Sequence, residues 1–353
     1  MNAPAKISPR ARLADLSDMM ERERIGAFVR EQGGSLFHRP LWLLAVEHGT
    51  GQRAAGMVTE QMGAITGWLP LTEVRSRLFG RALVSSGFGV GGGILAHSDE
   101  AALAIAQAAQ ERAQSKGFDS VELRGGPVPE EWRQVTGKHC GFERSLADDD
   151  EAELLAIPRK ARAEVRKALK SDLKVRIGRS THDLDAHYAV YSESVRNLGT
   201  PVFPKALFRS MVEAFSETCD ILTIEKDGVP VSSVLSFYHN GAVMPFWGGG
   251  TFAARASRAN ELMYYKLMCH ARKRGMTRFD FGRSKTNSGP YHFKKNWGFE
   301  PEPLTYGVWT APGREARDTD PTSEAYSRKI ELWKKLPLPI ANMIGPFIAR
   351  DLA

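Results

Sequence analysis

Two stretches of this chain echo one another. Residues 84–126 read VSSGFGVGGGILAHSDEAALAIAQAAQERAQSKGFDSVELRGG, and residues 243–284 read VMPFWGGGTFAARASRANELMYYKLMCHARKRGMTRFDFGRS. Each has a short apolar run, a glycine triplet, a polar turn, a helical stretch, a basic-Gly turn and a second short run. Gly117 follows Gly91 by 26 residues, and Gly275 follows Gly248 by 27. An echo of this length implies a duplicated supersecondary unit. The unit reads strand, glycine-rich loop, helix, strand, an order able to hold phosphates at the helix start. A chain of 353 residues has room for two such domains, each with its own core.

Composition narrows the setting. A hydrophobic fraction of 42% and a charged fraction of 25% are those of a soluble globular protein. The formal net charge of +7 fits an anionic partner, whether nucleic acid, nucleotide phosphates or an anionic membrane, or simply a basic surface. Cys140, Cys219 and Cys269 are odd in number and far apart. That excludes a disulfide framework and a CxxC metal signature, so no metal site is expected, and a reducing compartment fits. The first residues lack a secretory pattern, and no run reaches the roughly 18 apolar residues of a spanning helix. The expected location is the cytoplasm, with its inner membrane face left open by the tail.

Periodicity divides the chain into a disordered start (1–10), an N-terminal domain (11–150), a C-terminal domain (151–310) and a linker with an amphipathic tail (311–353). A helix is expected within 11–32, with Met19, Ile25, Phe28 and Val29 on one face. Pro40 should open a helix. Strands are expected at 57–61, 64–71, 82–88 and 120–124. Helix 100–115 should be capped by Ser98 or Asp99 and closed by Gly117, and 126–150 reads as loops. The second half gives a basic helix at 159–170, helices at 182–198 and 205–216, strands at 220–226, 231–239 and 242–247, helix 259–273, and strands at 278–281 and 304–309. Lys226-Asp227-Gly228 reads as a hairpin turn. A hairpin meander cannot be purely parallel, so each domain is an α/β (α+β) unit with a mixed, mostly antiparallel sheet flanked by helices. This order resembles the acyl-CoA N-acetyltransferase (GNAT) architecture, whose third meander strand leads into the loop holding the donor phosphates.

Three groups of residues carry candidate chemistry. The turn before helix 259 places Arg255, Ser257, Arg258 and Asn260 at a helix start, which suits a phosphate-bearing donor. It lacks the Q/R-x-x-G-x-G/A string usual in acetyl-CoA enzymes, and a plain tight turn is the competing reading. The run FDFGRSKTNSGPYHFKKNWGF places Asp280, Arg283, Lys285, Tyr291, His292, Phe293 and Lys294 after a buried strand, where α/β sheets often hold ligands. Acyl transfer to an amine needs a cation or N–H donors at the developing oxyanion and a route for the amine proton. Lys294 fits the first need; Asp280, Tyr291 or His292 fits the second. The aromatic residues there also read as core anchors. On the basic helix, Arg159, Arg162 and Arg166 share one side, which is either a solvated face or a contact for a nucleic-acid or nucleotide backbone. The tail from Trp333 to Leu352 reads as a packing or homodimer surface or as a peripheral membrane face.

These strings, with FHRPLW, IPRKARAEVRKALK and ILTIEKDGVPVSSVLSFYHNGAVMPFWGG, resemble the FemAB family of tandem GNAT-like transferases. Within it they are most similar to members associated with exosortase (PEP-CTERM) and exopolysaccharide systems. The resemblance covers about residues 30–310. It implies transfer of an acyl or aminoacyl group to an amine acceptor in cell-envelope metabolism, with acyl-CoA or aminoacyl-tRNA as co-substrate and no bound cofactor. It assigns Phe293 and Lys294 to the pair that contacts the tRNA end and the reacting carbonyl. Trp42 is followed by LLAVEHG, without the lysine that peptidoglycan members use on precursor phosphates, and there is no room for their helical arm. The alternative from another class is a non-catalytic nucleic-acid-binding or polysaccharide-assembly scaffold on the same fold.

Overall fold

The computed structural model describes residues 9–317 and 324–353. In chain order the first elements are β1 (Arg10–Leu13), α1 (Met19–Glu31), α2 (Pro40–Thr50), β2 (Arg53–Gln61), β3 (Ala64–Ser76), β4 (Gly80–Ser85), β5 (Leu95–Ala96), α3 (Asp99–Lys116), β6 (Ser120–Arg124) and β7 (Arg133–Ser145). There follow α4 (Asp150–Ala156), α5 (Arg159–Leu169), β8 (Leu173–Gly178), α6 (Thr181–Leu198), α7 (Lys205–Ala214), β9 (Cys219–Lys226), β10 (Val229–His239) and β11 (Ala242–Gly250). The last are α8 (Ala254–Ser257), α9 (Ala259–Lys273), β12 (Arg278–Asp280), β13 (Ser284–Lys285), α10 (Gly289–Asn296), β14 (Pro301–Thr310), α11 (Glu324–Lys334) and α12 (Leu338–Ala349).

Two compact units result. Among the described residues, 9–136, 305–317 and 350–353 form one, and 137–304 with 324–349 form the other. The division falls inside β7 and not near residue 150, and the chain's last residues return to the first unit. Arg10 opens β1, while residues 1–8 of the expected disordered start lie outside the described residues, as do 318–323 of the expected linker.

In the first unit β1 to β4 form an antiparallel meander, β6 lies parallel to β4, and Tyr306–Thr310 of β14 pairs antiparallel with β6. α3 is alanine-rich, which favours helix. The Ser98 hydroxyl accepts from the Ala101 N–H at 3.2 Å, and Gly117 ends the helix at φ +69°. Its buried stripe, Ile105, Ala106, Ala109 and Ala113, packs with Leu69, Leu83 and Val121. Met19, expected on the buried face of α1, is exposed, while Ile25, Phe28 and Val29 are buried. The first triplet is a loop: a Cβ on Gly93 would overlap the Gly125 carbonyl.

In the second unit the strand order is β7-β12-β11-β10-β9-β8, antiparallel except for β11 and β12. Asp227 and Gly228, at φ +52° and +77°, make the tight β9–β10 turn. Successive serines of β10 face opposite sides, as strand geometry requires. Ser232 donates to Asn260 of α9 at 2.6 Å, and Ser233 meets His187 of α6 at 3.0 Å. Burial pushes the His187 imidazole down to about 3, so it is a neutral core group. The second glycine triplet is not a loop. Gly248–Gly250 lies within β11, opposite Ser232–Val234, and a Cβ on Gly249 would overlap the Ser194 hydroxyl of α6.

Candidate active site

β12 is short, and that shapes the site. Phe279 and Phe281 are buried on either side of half-buried Asp280. β12 pairs with β11 through Ala242–Arg278 and Val243–Phe279 alone. β11 then continues to Gly250 along β10, with Phe246 bulged out of register. Beyond Val243 the two parallel strands have therefore parted. The β11 edge over 244–250 has no strand partner among the described residues. Where two strands of a sheet part, an extended ligand can enter between them.

The chain leaves β12 through a left-handed Gly282 at φ +68°. The Gly282 N–H donates to Asp280 Oδ1 at 2.8 Å. α10 follows, with Ser288 as its N-cap. Its residue Lys294 points back into the loop. Nζ donates to the carbonyls of Gly282 and Arg283, both at 3.0 Å, and sits 5.2 Å from the Phe142 ring centre and 5.3 Å from that of Phe281. Only 8% of the residue is exposed. Burial lowers the ammonium from 10.5 to about 7; Asp280 opposes the fall and Arg283 adds to it. The Asp280 carboxyl is pushed up, chiefly by burial and then by Glu143, while the Gly282 N–H opposes. A carboxyl raised beside an ammonium lowered marks a functional-site candidate.

The structure gathers Asp280, Arg283, Tyr291, Phe293 and Lys294 around Phe142 and Phe281. Tyr291 lies edge-on to Phe142 at 5.5 Å, and Phe293 meets Phe281 at 6.1 Å. Lys285 sits on β13 opposite His139, and His292 stacks edge-on against Tyr291. Phe142 went unnoticed in the sequence because it lies in the stretch read as loops.

The expected phosphate group is mostly spoken for by the fold. Arg258 bridges α8 and α9 at φ +58°, with Nε on Glu164 and a second guanidinium nitrogen on the Arg255 carbonyl, both at 2.5 Å. Asn260 accepts from Ser232, and Ser257 is buried with its hydroxyl on the Ala254 carbonyl. Arg255 remains exposed, over the Phe252 ring at 5.5 Å. α9 begins without a side-chain cap, and the Glu261 carboxylate in its first turn accepts from its own backbone N–H. On α5, Arg159, Arg162 and Arg166 line a groove of about 340 Å³ with Ala163, Lys167 and Lys170. The opposite side of α5, Ala161, Val165 and Ala168, is buried. Arg162 also donates to the Leu155 carbonyl and Lys167 to Glu164. Lys167 and Lys170, also basic residues of this helix in the sequence, join the three arginines singled out there.

Among the described residues no group of three or more His, Cys, Asp or Glu is placed to hold a metal ion. Residues 158–295 match the family model described as an acetyltransferase (GNAT) domain. No curated protein matches the chain. Solved structures similar to it include FemX, with a TM-score of 0.61 and 15% identity over 80% of this chain and 95% of that one. A tandem GNAT protein from the clavulanic acid biosynthesis pathway has a TM-score of 0.58 and 12% identity over 87% and 100%. N-myristoyltransferase from Saccharomyces cerevisiae, solved with myristoyl-CoA, gives 0.54 and 11% over 89% and 84%. The chain thus has a tandem GNAT-like fold of mixed α/β character, and its second unit carries the domain that the family model matches.

Proposed function

We propose that the chain is an N-acyltransferase of FemAB type. An acceptor amine attacks the carbonyl carbon of an activated acyl or aminoacyl donor, the bond from that carbon to the donor's sulfur or oxygen breaks, and the amine's proton passes to the leaving group. The observation that carries this reading is Lys294, buried and poised near neutrality. Protonated, it gives two N–H bonds to the Gly282 and Arg283 carbonyls and keeps a third for a developing oxyanion. Neutral, it keeps both bonds to those carbonyls and has a lone pair for the amine proton. Asp280 and Tyr291 orient the acceptor, with Phe293 against the reacting end.

The parted edge of β11 suits the extended arm of a donor, with its phosphates toward Arg255 and the uncapped start of α9. Similarity to a myristoyl-CoA-bound structure supports a thioester donor. The groove on α5 favours aminoacyl-tRNA instead, because a single pyrophosphate does not call for five cations in a row. The resemblance to exosortase-associated proteins supports an acceptor from cell-envelope or exopolysaccharide metabolism and an enzyme acting in the cytoplasm.

The test is single-turnover transfer by Lys294→Met and Lys294→Arg against acyl-CoA and charged tRNA donors. A loss of about 10²-fold or more in both variants, with the fold intact, is expected. Turnover near wild type in Lys294→Met makes the lysine a loop clamp; no transfer by the wild type from either donor leaves the scaffold reading standing.

A further inference from the structure

β12 and β13 pair with the same strand, β7, on either side of a bulge. Asp280 lies opposite Glu143, and Ser284 opposite Cys140. Between those pairs three residues, Phe281, Gly282 and Arg283, face two, Gly141 and Phe142. One extra residue bends a strand and re-aims its backbone. The Phe281 N–H still donates to the Phe142 carbonyl at 2.7 Å. The next two carbonyls, of Gly282 and Arg283, accept from the Lys294 amine instead. Beyond the bulge the Thr286 N–H donates to the Lys138 carbonyl at 3.1 Å, which ties the far end back to β7.

The side chain facing the bulge is Phe142, fully buried in the core of this unit. Its ring meets two site residues at once. Nζ of Lys294 stands over it, 5.2 Å from its centre, and the Tyr291 ring lies edge-on at 5.5 Å. Phe281 offers Lys294 a second face, but that ring also packs on Phe279, Phe299 and Tyr264. Filling the core would need only the shape of a ring. The negative face of an aromatic ring also attracts a cation, most strongly where water is excluded. Of the charges that face the amine, Asp280 favours the ammonium and Arg283 disfavours it, so the ring weighs on a balance of opposed charges. We propose that Phe142 is a positioning residue for the transfer chemistry: its ring face steadies the charged Lys294 against the bulge, and its edge-on packing sets Tyr291 beside it. The proposal rests on the reading of Lys294 as the cation that meets the reacting carbonyl.

The experiment is site-specific replacement of Phe142 in the full chain by mono-, di- and trifluorophenylalanine. These keep the shape of the ring while draining negative charge from its face. The readouts are the ¹³Cε resonance of Lys294 and the pH profile of single-turnover transfer. The titration midpoint of the lysine should fall with each fluorine, by about half a unit or more for the trifluoro ring. The pH above which transfer declines should fall with it. Trifluorophenylalanine in place of Phe237, a buried ring against Phe215 and Trp247, should move neither. If the trifluoro ring disturbs the fold at position 142, the monofluoro ring carries the same test. A midpoint that fluorination of Phe142 leaves in place, or that the change at Phe237 moves as far, overturns the proposal. No transfer by the wild type overturns the acyltransferase reading instead, and the midpoint still decides whether the ring holds the ammonium.

Discussion

Replacing Lys294 by methionine should change how stability depends on pH more informatively than it changes stability itself. A lysine held at about 7 in the fold and at 10.5 when free carries about 5 kcal/mol of bias toward its neutral form. Below pH 7 both folded and unfolded chains keep the proton, and the fold bears the whole cost of burying an ammonium. Between 7 and 10.5 the folded chain has released its proton while the unfolded chain still binds one, so stability rises with pH. Above 10.5 the contribution is flat. Methionine removes this dependence and leaves the Gly282 and Arg283 carbonyls without the lysine. The offset at any one pH mixes both effects, but the slope comes from the lysine alone. Between pH 6 and pH 9 wild type should gain about 2–3 kcal/mol relative to Lys294→Met. Urea unfolding of both proteins at several pH values measures this, and ¹³Cε-lysine NMR should show one resonance titrating near 7. Parallel stability curves, with every lysine resonance titrating near 10, would refute the argument that burial has primed this amine.

Other outcomes follow from single contacts. Asp220 accepts from the Tyr238 hydroxyl at 2.8 Å, His270 Nε2 at 2.9 Å and Arg274 at 3.0 Å; Asp220→Ala should cost about 2–4 kcal/mol in denaturant unfolding by stranding three donors. Ser98→Ala removes the cap of α3 and should cost about 1 kcal/mol. Arg258→Ala breaks a half-exposed pair with Glu164 and should leave the denaturant midpoint little changed. Isothermal titration should show donor affinity falling further in Arg255→Ala than in Arg258→Ala; the reverse ranking would place the phosphates elsewhere.

What the sequence made legible was whatever a strong local signal announced. α3 and α9 end where composition and basic-Gly turns placed their ends, β6 matches to the residue, and the β9–β10 hairpin followed from Asp227-Gly228. β7 was missed because Arg133–Ser145 is mostly polar, holds Gly137 and Gly141, and buries only Cys140 and Phe142. Its strand character comes from its neighbours β12 and β13, which periodicity cannot see. α4 hid in an acidic run. At the site, residue types singled out Lys294 and Asp280, but not the two carbonyls that hold the amine. Nor did any local pattern announce that β11 and β12 part after two residue pairs, since strand length alone does not give register. Arg258 and Asn260 looked like ligands in a linear reading, and their tertiary partners Glu164 and Ser232 lie far away in the chain.

The triplet glycines at 93 and 249 would answer differently to repair. An alanine at 249 meets the tip of Ser194, so trimming that serine to glycine should restore room for the added methyl group. An alanine at 93 meets the carbonyl of Gly125, where there is no side chain to trim. A suppressor screen should therefore recover compensating changes for the later position and none at the facing residue for the earlier one: the sequence echo repeats a letter, not a reason.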